Sequence, residues 1–169
     1  MITLHTLVIP ENQTLFSRYP ELNDIWEVPS LQAEARESYE RYGLVEYKFE
    51  KKGEIFSINE DNVPIGIIGW FEYGEFPDVL RLRYYGIVPS RRRRHYGEQA
   101  MNIFLTYLSQ HAPSQYIFLA ESVTLSRSIA PAIIAHFKRM GFVEFDDPNY
   151  GSNADCGKTQ SLRIRIPGR

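Results

Sequence analysis

The sequence predicts a mixed α/β domain in which helices flank a central, mostly antiparallel sheet. Two apolar segments joined by a short polar turn indicate a β-hairpin. Elsewhere, apolar residues recur at three- and four-residue spacing and indicate amphipathic helices that alternate with short apolar strands. This alternation favours strand–helix–strand crossovers. The predicted order is β-α(α)-βββ-α-β-α-ββ, with about seven strands and about four helices in one domain spanning 1–169.

The first part of the chain is predicted to hold one strand and a less regular region. Residues 2–9 alternate loosely between apolar and polar side chains, which predicts a strand. Prolines interrupt 10–30, and this stretch is interpreted as a loop with a short helix, a candidate lid. Ser30 is a suitable N-cap for a helix over about 31–42.

The hairpin comes next. Its strands are predicted at 54–59 and 65–73, with residues 60–63 as the turn. A third strand is predicted over about 79–88, and Pro89 ends it because proline cannot donate to the sheet ladder.

Helices and strands alternate in the second half of the chain. Apolar spacing predicts a helix over about 96–110, and a short apolar run predicts a strand at 116–121. Ser128 is expected to open another helix, which Gly141 ends. Two strands then close the chain, at 142–145 and 159–166.

Composition excludes several classes of protein. Hydrophobic residues make up 43% of the chain and the formal net charge is −2, so there is material for a core and no general coat of positive charge. The single cysteine, Cys156, excludes a disulfide within the chain and argues against a cysteine-based zinc site. No apolar run approaches the ~20 residues that span a bilayer, and no signal peptide is recognised. The expected location is therefore the cytoplasm.

Arginine is concentrated in one short stretch. Six of the fourteen arginines fall between Arg81 and Arg94, and four are consecutive at 91–94. This run lies between a predicted strand end and the first turn of a helix, where positive charge is unfavourable by ~0.3–1 kcal/mol. Open N–H groups and guanidinium groups that converge at a helix N-terminus are typical of a phosphate or pyrophosphate site.

Two alternatives for the arginine run stay open. The arginines could pair with surface carboxylates in a solvated turn, or they could form a patch that binds nucleic acid. The net charge of −2 and the lack of a comparable basic run elsewhere argue against nucleic acid, since a polyanion needs a more extended basic surface. Confinement to one strand–loop–helix junction favours the pyrophosphate of a nucleotide-type cofactor.

The loop sequence resembles the cofactor motif of the GNAT N-acetyltransferase superfamily. That motif is Gln/Arg-x-x-Gly-x-Gly/Ala, after a strand that ends in Val-x-Pro or similar. In this chain Arg92 matches the first position and Gly97 the last, and His95 stands at the position that is usually glycine.

A second segment is similar to the helix-to-strand ending of the same family. Residues 135–145 contain Gly141-Phe142 at the end of a predicted helix, as in the family pattern Tyr-x-x-x-Gly-Phe. The predicted element order also matches the family's fold, so the resemblance covers roughly 50–166.

The resemblance implies acetyl-CoA or another acyl-CoA as donor, an amine as acceptor, and direct transfer without a metal. In that family the strand before the loop splays from its neighbour, and its last backbone groups bind the pantetheine arm. The cofactor-binding residues implied here are Ile87, Val88, Arg92, Arg93, Arg94, His95, Tyr96, Gly97, Glu98 and Ser128. Neither a membrane nor nucleic acid is expected as a partner, and a homodimer is left open.

The usual acid and base of the family are replaced in this chain. Arg81 stands at the position of a frequent carboxylate base and Phe137 at that of a frequent tyrosine acid, and neither can exchange the required proton. Alternation along the strand is expected to turn only one of Tyr84 and Tyr85 towards the site. The candidate catalytic residues are Glu72, Tyr85 and Tyr150.

The predicted function is an N-acetyltransferase that moves acetyl from acetyl-CoA to a primary amine of a small molecule or protein. The missing acid and base make a non-catalytic CoA-binding or protein-interaction module on the same fold the alternative. Signals for the acceptor conflict. Carboxylates in predicted loops would attract a cationic amine, whereas Arg81 and Arg83 could bind an acidic substrate group.

Overall fold

The structure is a computed structural model. It describes residues 1–7, 20–25, 53–73, 76–111, 116–122, 130–145 and 159–168. The helix predicted over 31–42 lies outside these ranges.

The described residues form strands, two α-helices and short 3-10 segments. The strands are β1 (Ile2–Thr6), β2 (Gly53–Glu60), β3 (Val63–Tyr73), β4 (Phe76–Ile87), β5 (Tyr116–Ser122), β6 (Val143–Phe145) and β7 (Thr159–Arg165). The α-helices are α1 (Tyr96–His111) and α2 (Ala130–Arg139), and the 3-10 segments are Pro20–Ile25 and Pro89–Arg91. The predicted hairpin and the helix predicted over 96–110 are therefore present, as β2–β3 and α1.

All of these strands belong to one sheet with the order β1-β2-β3-β4-β5-β7-β6. Only β4 and β5 pair in parallel, and the other neighbours pair antiparallel. The mixed, mostly antiparallel α/β architecture is confirmed. The total of about four helices and the assignment of 1–169 to one domain stay predictions, because much of 8–52 lies outside the described residues.

Helices α1 and α2 pack on one side of the sheet, which we call the helix face. The apolar residues at three- and four-residue spacing in α1 are the ones it buries, Phe104 and Leu108 among them. They form one cluster with Leu80 of β4, Leu162 of β7 and Phe137 of α2. The crossovers predicted from the sequence thus cover this face.

The other side of the sheet, the opposite face, carries a second set of buried residues. Ile67 is fully buried but lies outside the helix-face cluster, and its neighbour across the sheet is Gly86. A Cβ built on Gly86 would overlap Ile25, the last residue of the 3-10 helix Pro20–Ile25. This 3-10 helix therefore covers the opposite face beside the end of β4.

Candidate functional site

Strands β4 and β5 separate partway along their length. Their parallel pairing covers three positions, and Arg81 opposite Phe118 is the last. Beyond it β4 continues to Ile87, while β5 stays paired with β7 as far as Ser122. Within the described residues this leaves a gap, which we call the wedge, between 82–87 of β4 and 119–122 of β5. The splay implied by the family resemblance is thus present.

A β-bulge lies on the β4 side of the wedge. The register between β3 and β4 shifts so that Tyr84 and Tyr85 both stand opposite the single residue Ile68. The extra residue interrupts the regular backbone alternation of β4 at this point, and the expectation that only one of the two tyrosines faces the site stays a prediction. The side chain of Tyr85 packs against the helix-face core.

The backbone N–H groups at the end of β4 point alternately towards β3 and towards the wedge. The N–H of Val88 donates to the carbonyl of Ile65 at 2.8 Å, which holds Val88 against β3. Because N–H groups alternate along a strand, the N–H of Ile87 lies on the wedge side. The carbonyl of Ile87 accepts from Nε of Arg92 at 2.8 Å. Of the two predicted backbone positions, Ile87 is therefore the one that offers a donor to the wedge.

The loop that joins β4 to α1 alternates in the sign of φ. Arg92 has φ −69°, Arg93 has φ 63° and His95 has φ 59°, whereas Arg94 is not among the residues with positive φ. Such alternation turns successive N–H groups into one concavity, which suits an anion. Helix α1 begins directly afterwards, so the concavity also lies at the positive end of the helix dipole.

His95 occupies the usual glycine position in a left-handed conformation. This backbone geometry explains why glycine is favoured there. The His95 carbonyl accepts the first helical bond of α1, from the N–H of Gln99 at 3.0 Å. Its Nδ1 lies 2.8 Å from Oε2 of Glu98, and this hydrogen bond is the main reason that the pKa of Glu98 is below its ordinary value.

The four consecutive arginines have different surroundings. Arg91 forms an ion pair with Glu60 at 2.9 Å, and Glu60 also accepts a hydrogen bond from Tyr96. Arg93 and Arg94 are exposed and make no ion pair with any described residue. Pairing with a surface carboxylate therefore explains Arg91. Arg93 and Arg94 lie in the concavity with their charges available to an anion.

Arg92 links the loop to the 3-10 helix Pro20–Ile25. Its guanidinium group donates to the carbonyl of Ile25 at 2.6 Å and to that of Ile87 at 2.8 Å. The first residue of the motif therefore fixes two backbone segments at the end of β4.

Position 97 requires a glycine because the side chain of Tyr85 packs against it. A Cβ at this position would overlap the hydroxyl of Tyr85 and would also contact Nε2 of His136. The Tyr85 hydroxyl lies 3.1 Å from Nε2 of His136, with their rings stacked at 5.9 Å. The first turn of α1, the bulge of β4 and helix α2 meet at this point.

Burial shifts the protonation equilibria of this pair in opposite directions. Desolvation raises the pKa of Tyr85, and the charge of Glu98 adds to the effect, so the phenol keeps its proton. Desolvation lowers the pKa of His136, Arg139 lowers it further, and Glu98 acts against both. The pair is therefore a neutral phenol beside a neutral imidazole near pH 7.

Phe137 has a structural role at the position of the family's acid. It is 3% exposed and packs edge-on against Phe142 at 5.0 Å. The N–H groups of Phe142 and Gly141 close α2 by donating to the carbonyls of Phe137 and Lys138, and Gly141 has φ 94°. This is a Schellman ending, as the predicted stop at Gly141 requires.

The remaining predicted site residues either lie away from the contact between Tyr85, His136 and Gly97 or fall outside the residues that the structure describes. Glu72 pairs with Leu80 and so falls on a helix-face row next to β4, away from the wedge. Tyr150 and Ser128 lie outside the described residues. Glu60 was predicted to lie in a turn, and no signal in the sequence indicates that this carboxylate pairs with Arg91.

The described residues contain neither a cluster of metal-binding side chains nor a helix suited to cross a membrane. None of their His, Cys, Asp and Glu side chains form a group of three or more that could hold a metal ion. Their helices include none with the length and apolar character that a membrane crossing demands. The expectation of metal-free chemistry stays a prediction.

Solved structures share this fold. A GNAT-family protein from Desulfovibrio desulfuricans superposes with a TM-score of 0.69 at 13% identity, covering 98% of this chain and 99% of that one. The spermidine N-acetyltransferase from Vibrio cholerae, solved with CoA and spermine, gives 0.62 at 16% identity, covering 98% and 95%. A Klebsiella pneumoniae protein assigned to the acyl-CoA N-acyltransferases gives 0.64 at 12% identity, covering 98% of each.

Sequence comparison agrees with the fold. No curated protein sequence matches the chain. The profile of the acetyltransferase (GNAT) family matches residues 18–142, which include the wedge, the φ-alternating loop and the Gly-Phe ending. The chain therefore belongs to the GNAT acetyltransferase family.

Proposed function

We propose that this protein is an N-acetyltransferase that moves an acetyl group from acetyl-CoA directly to a primary amine of a small molecule or protein. The observation that carries the proposal is the φ-alternating loop 92–97, which opens at the N-terminus of α1 beside the unpaired edge of β4. An anion cradle next to an unpaired strand edge suits a cofactor with a pyrophosphate and an amide-containing arm.

The residues present fit acetyl-CoA. The N–H groups of 93–97 would hold the pyrophosphate, and the exposed guanidinium groups of Arg93 and Arg94 would neutralise it. The N–H of Ile87 would donate to the arm in the wedge. The V. cholerae spermidine acetyltransferase, which has the same fold, was solved with CoA, and this supports the assignment.

When bound, acetyl-CoA supplies an acetyl group activated as a thioester. Overall, a C–N bond forms to the amine as the C–S bond breaks, the amine loses a proton and the leaving thiolate takes one. The Ile87 N–H is suited to donate to a carbonyl oxygen on which negative charge develops. The wedge would hold the reactants in line, which removes much of the entropic barrier.

Tyr85 is the best supported of the three predicted catalytic residues. Its hydroxyl stays protonated and contacts both α1 and α2, so it can donate a hydrogen bond near neutral pH, although burial makes it a weaker acid than an exposed tyrosine. Roles for Glu72 and Tyr150 stay predictions. A base for the amine is unassigned, and ordered water is the simplest carrier of that proton.

Calorimetric titration with acetyl-CoA tests the cofactor assignment. Saturable binding is expected, and no binding at millimolar cofactor would overturn it. Arg94→Glu should weaken binding by about tenfold or more, because it reverses one charge at the cradle. Lys138→Glu makes the same charge reversal on α2, away from the loop, and should leave the affinity within twofold.

Release of the CoA thiol with a panel of amines separates an enzyme from a passive CoA-binding module. Phe137 and Arg81 at the acid and base positions are the observations that favour the module. Turnover that Arg94→Glu abolishes and Lys138→Glu retains would exclude the module. Tight CoA binding with no acceptor-dependent thiol release would favour it. A cytoplasmic location remains part of the proposal, and the oligomeric state, including a homodimer, stays open.

A further inference from the structure

We propose that strand β1 forms a homodimer interface, in which the β1 strands of two copies pair antiparallel across a twofold axis and join two sheets into one. The inference goes beyond the proposed acetyl transfer and does not depend on it. Among the described strands, β1 is the last strand at one edge of the sheet, and β2 is its neighbour. Its backbone groups, its side chains and the adjacent flank of α1 all suit a second copy of this chain.

Alternate backbone groups of β1 point away from β2. The N–H of Leu7 donates to the carbonyl of Ile55 at 2.7 Å, and the carbonyl of Met1 accepts from the N–H of Asp61 at 3.2 Å. The register between the two strands is regular, so odd-numbered residues of β1 direct their N–H and C=O groups to β2, and even-numbered residues direct theirs outward. Among the described residues, no hydrogen bond engages the outward groups, which belong to Ile2, Leu4 and Thr6.

The outward groups of β1 are complementary to those of a second copy. When two antiparallel copies are centred on Leu4, this residue pairs with its own counterpart, and Ile2 of each copy pairs with Thr6 of the other. Each of these pairs joins two outward-directed residues, so each can exchange two N–H···O=C bonds. A shift of the register by two residues would leave Ile2 or Thr6 without a partner in the strand. The register centred on Leu4 is therefore the one that uses every outward group of β1.

The same pairing continues the apolar core across the twofold axis. Ile2 is buried in the helix-face cluster and Leu4 packs against that cluster, so the even-numbered residues of β1 have their side chains on the helix face. Residues directly opposite each other in an antiparallel pair share a face and contact each other. The two Leu4 side chains would therefore meet beside Ile2 and lose their remaining exposure to water, which stabilises the dimer.

Strand β1 lacks the features that protect sheet edges from pairing with other chains. Such edges are usually protected by lysines, prolines, bulges or very short strands. Residues 2–6 include no proline and no Lys, Arg, Asp or Glu, and their register with β2 has no bulge. The other edge strand of the described sheet, β6, has only 3 residues and includes Glu144, which forms an ion pair with Lys138. Of these two edges, β1 is therefore the one suited to pairing.

The flank of α1 beside β1 identifies a second copy as the partner. Helix α1 contacts β1, and its residues 99–110 include no Asp, Glu, Lys or Arg, although such residues make up 24% of the chain. Ile103 is 38% exposed on this flank, one turn before Tyr107, which donates to Glu54 of β2. The twofold axis places both copies of α1 on the same side of the joined sheet, so each flank faces a copy of itself. An uncharged flank avoids like-charge repulsion there, and charged residues are depleted in the cores of interfaces.

The first test measures the mass of the full chain in solution. Sedimentation equilibrium over a concentration series should give a species of twice the 19.7 kDa of one chain. Thr6→Lys should raise the dissociation constant of the dimer about tenfold or more, because it places a charge at an exposed position of the outward row, opposite Ile2 of the second copy. Val143→Lys places the same charge at an exposed position of β6 and should leave the dissociation constant within about twofold.

The second test determines the register. In a Cys156→Ser background, which removes the native thiol, Leu4→Cys places one thiol of each copy at the proposed axis. The Cα atoms of a hydrogen-bonded antiparallel pair lie about 5.5 Å apart, within the range that a disulfide spans. Mild oxidation should therefore give a disulfide-linked dimer on a non-reducing gel. Val143→Cys in the same background places an exposed thiol on β6 and should not cross-link under the same conditions.

Each outcome supports or overturns the β1 interface. A chain that stays monomeric throughout the concentration series overturns it. A dimer that Thr6→Lys leaves intact, or that Val143→Lys dissociates, overturns it as well, and so does a folded Leu4→Cys chain that does not cross-link. Circular dichroism confirms folding, and if the Leu4→Cys chain does not fold, the two lysine variants decide. Acetyl-CoA binding is measured separately, so its absence would overturn the proposed function and leave this interface unaffected.

Discussion

The hydroxyl of Tyr85 lies 3.1 Å from Nε2 of His136, and this contact joins strand β4 to helix α2. Both groups also lie against Gly97 in the first turn of α1. The cofactor loop is thereby coupled to two other elements of the fold through a single polar contact. The loop's position, its stability and its response to pH should all depend on this pair.

Acidification should destabilise the fold through His136. Burial and Arg139 hold its pKa below the ordinary value in the folded chain, so the unfolded state takes up the proton first as pH falls. The contribution is fully present above about pH 6.5, the unfolded value, and is lost below it. Urea unfolding between pH 5 and 8 measures the slope.

The variant His136→Gln isolates this effect. Glutamine offers a polar partner to Tyr85 but does not titrate, so the loss of stability below about pH 6.5 should be smaller than in the unmodified chain. Glu98 titrates in a separate window below its ordinary value. Equal slopes in the two proteins would show that His136 is not the group responsible.

Gly97→Ala should destabilise the chain because the new methyl group overlaps the Tyr85 hydroxyl. Overpacking of this kind costs about 1–3 kcal/mol. Tyr85→Phe removes the obstructing oxygen, so the double variant should recover part of the loss. A double-mutant cycle on the free energy of unfolding measures the coupling, and additive effects would contradict the proposed contact.

Arg92 should be more important for stability than its exposed position indicates. Arg92→Ala removes the donors to the carbonyls of Ile25 and Ile87, at an expected cost of about 1–2 kcal/mol. Arg92→Lys should not restore the loss, since an ammonium group lacks the planar fork that reaches both carbonyls. Arg94→Ala is the matched control and should change the unfolding free energy by less than about 0.5 kcal/mol. Equal effects of the Arg92 and Arg94 variants would contradict the bridging role.

The sequence identified the elements whose signals are local. The apolar spacing in 96–110 predicted α1, and Gly141 predicted the end of α2, because both depend on residues within one or two turns. The resemblance drew attention to the loop at Arg92–Gly97, and the role of this loop in cofactor binding stays a prediction. It also marked the glycine position at His95, where the backbone does adopt a positive φ.

Features that depend on distant residues could not be predicted from the sequence. The bulge at Tyr84 and Tyr85 follows from the pairing of β3 with β4, and no residue pattern within β4 alone indicates it. Gly97 leaves room for the side chain of Tyr85, and Arg92 donates a hydrogen bond to the carbonyl of Ile25. Both contacts join segments that are far apart in the chain. No pattern within one segment reports such contacts.

Glycine substitutions in the loop should have opposite effects at neighbouring positions. Arg93 has φ 63°, which strains any residue with a Cβ, so Arg93→Gly should stabilise the chain by about 0.5–1 kcal/mol. Arg94 is not in the positive-φ region, so Arg94→Gly gains nothing in the folded state and increases the entropy of the unfolded chain. It should destabilise by about 0.5–1 kcal/mol. Chemical denaturation of both variants checks the difference, which cannot arise from charge because each loses one guanidinium group. The same sign for both would mean that the φ alternation, and with it the anion concavity, is absent in solution.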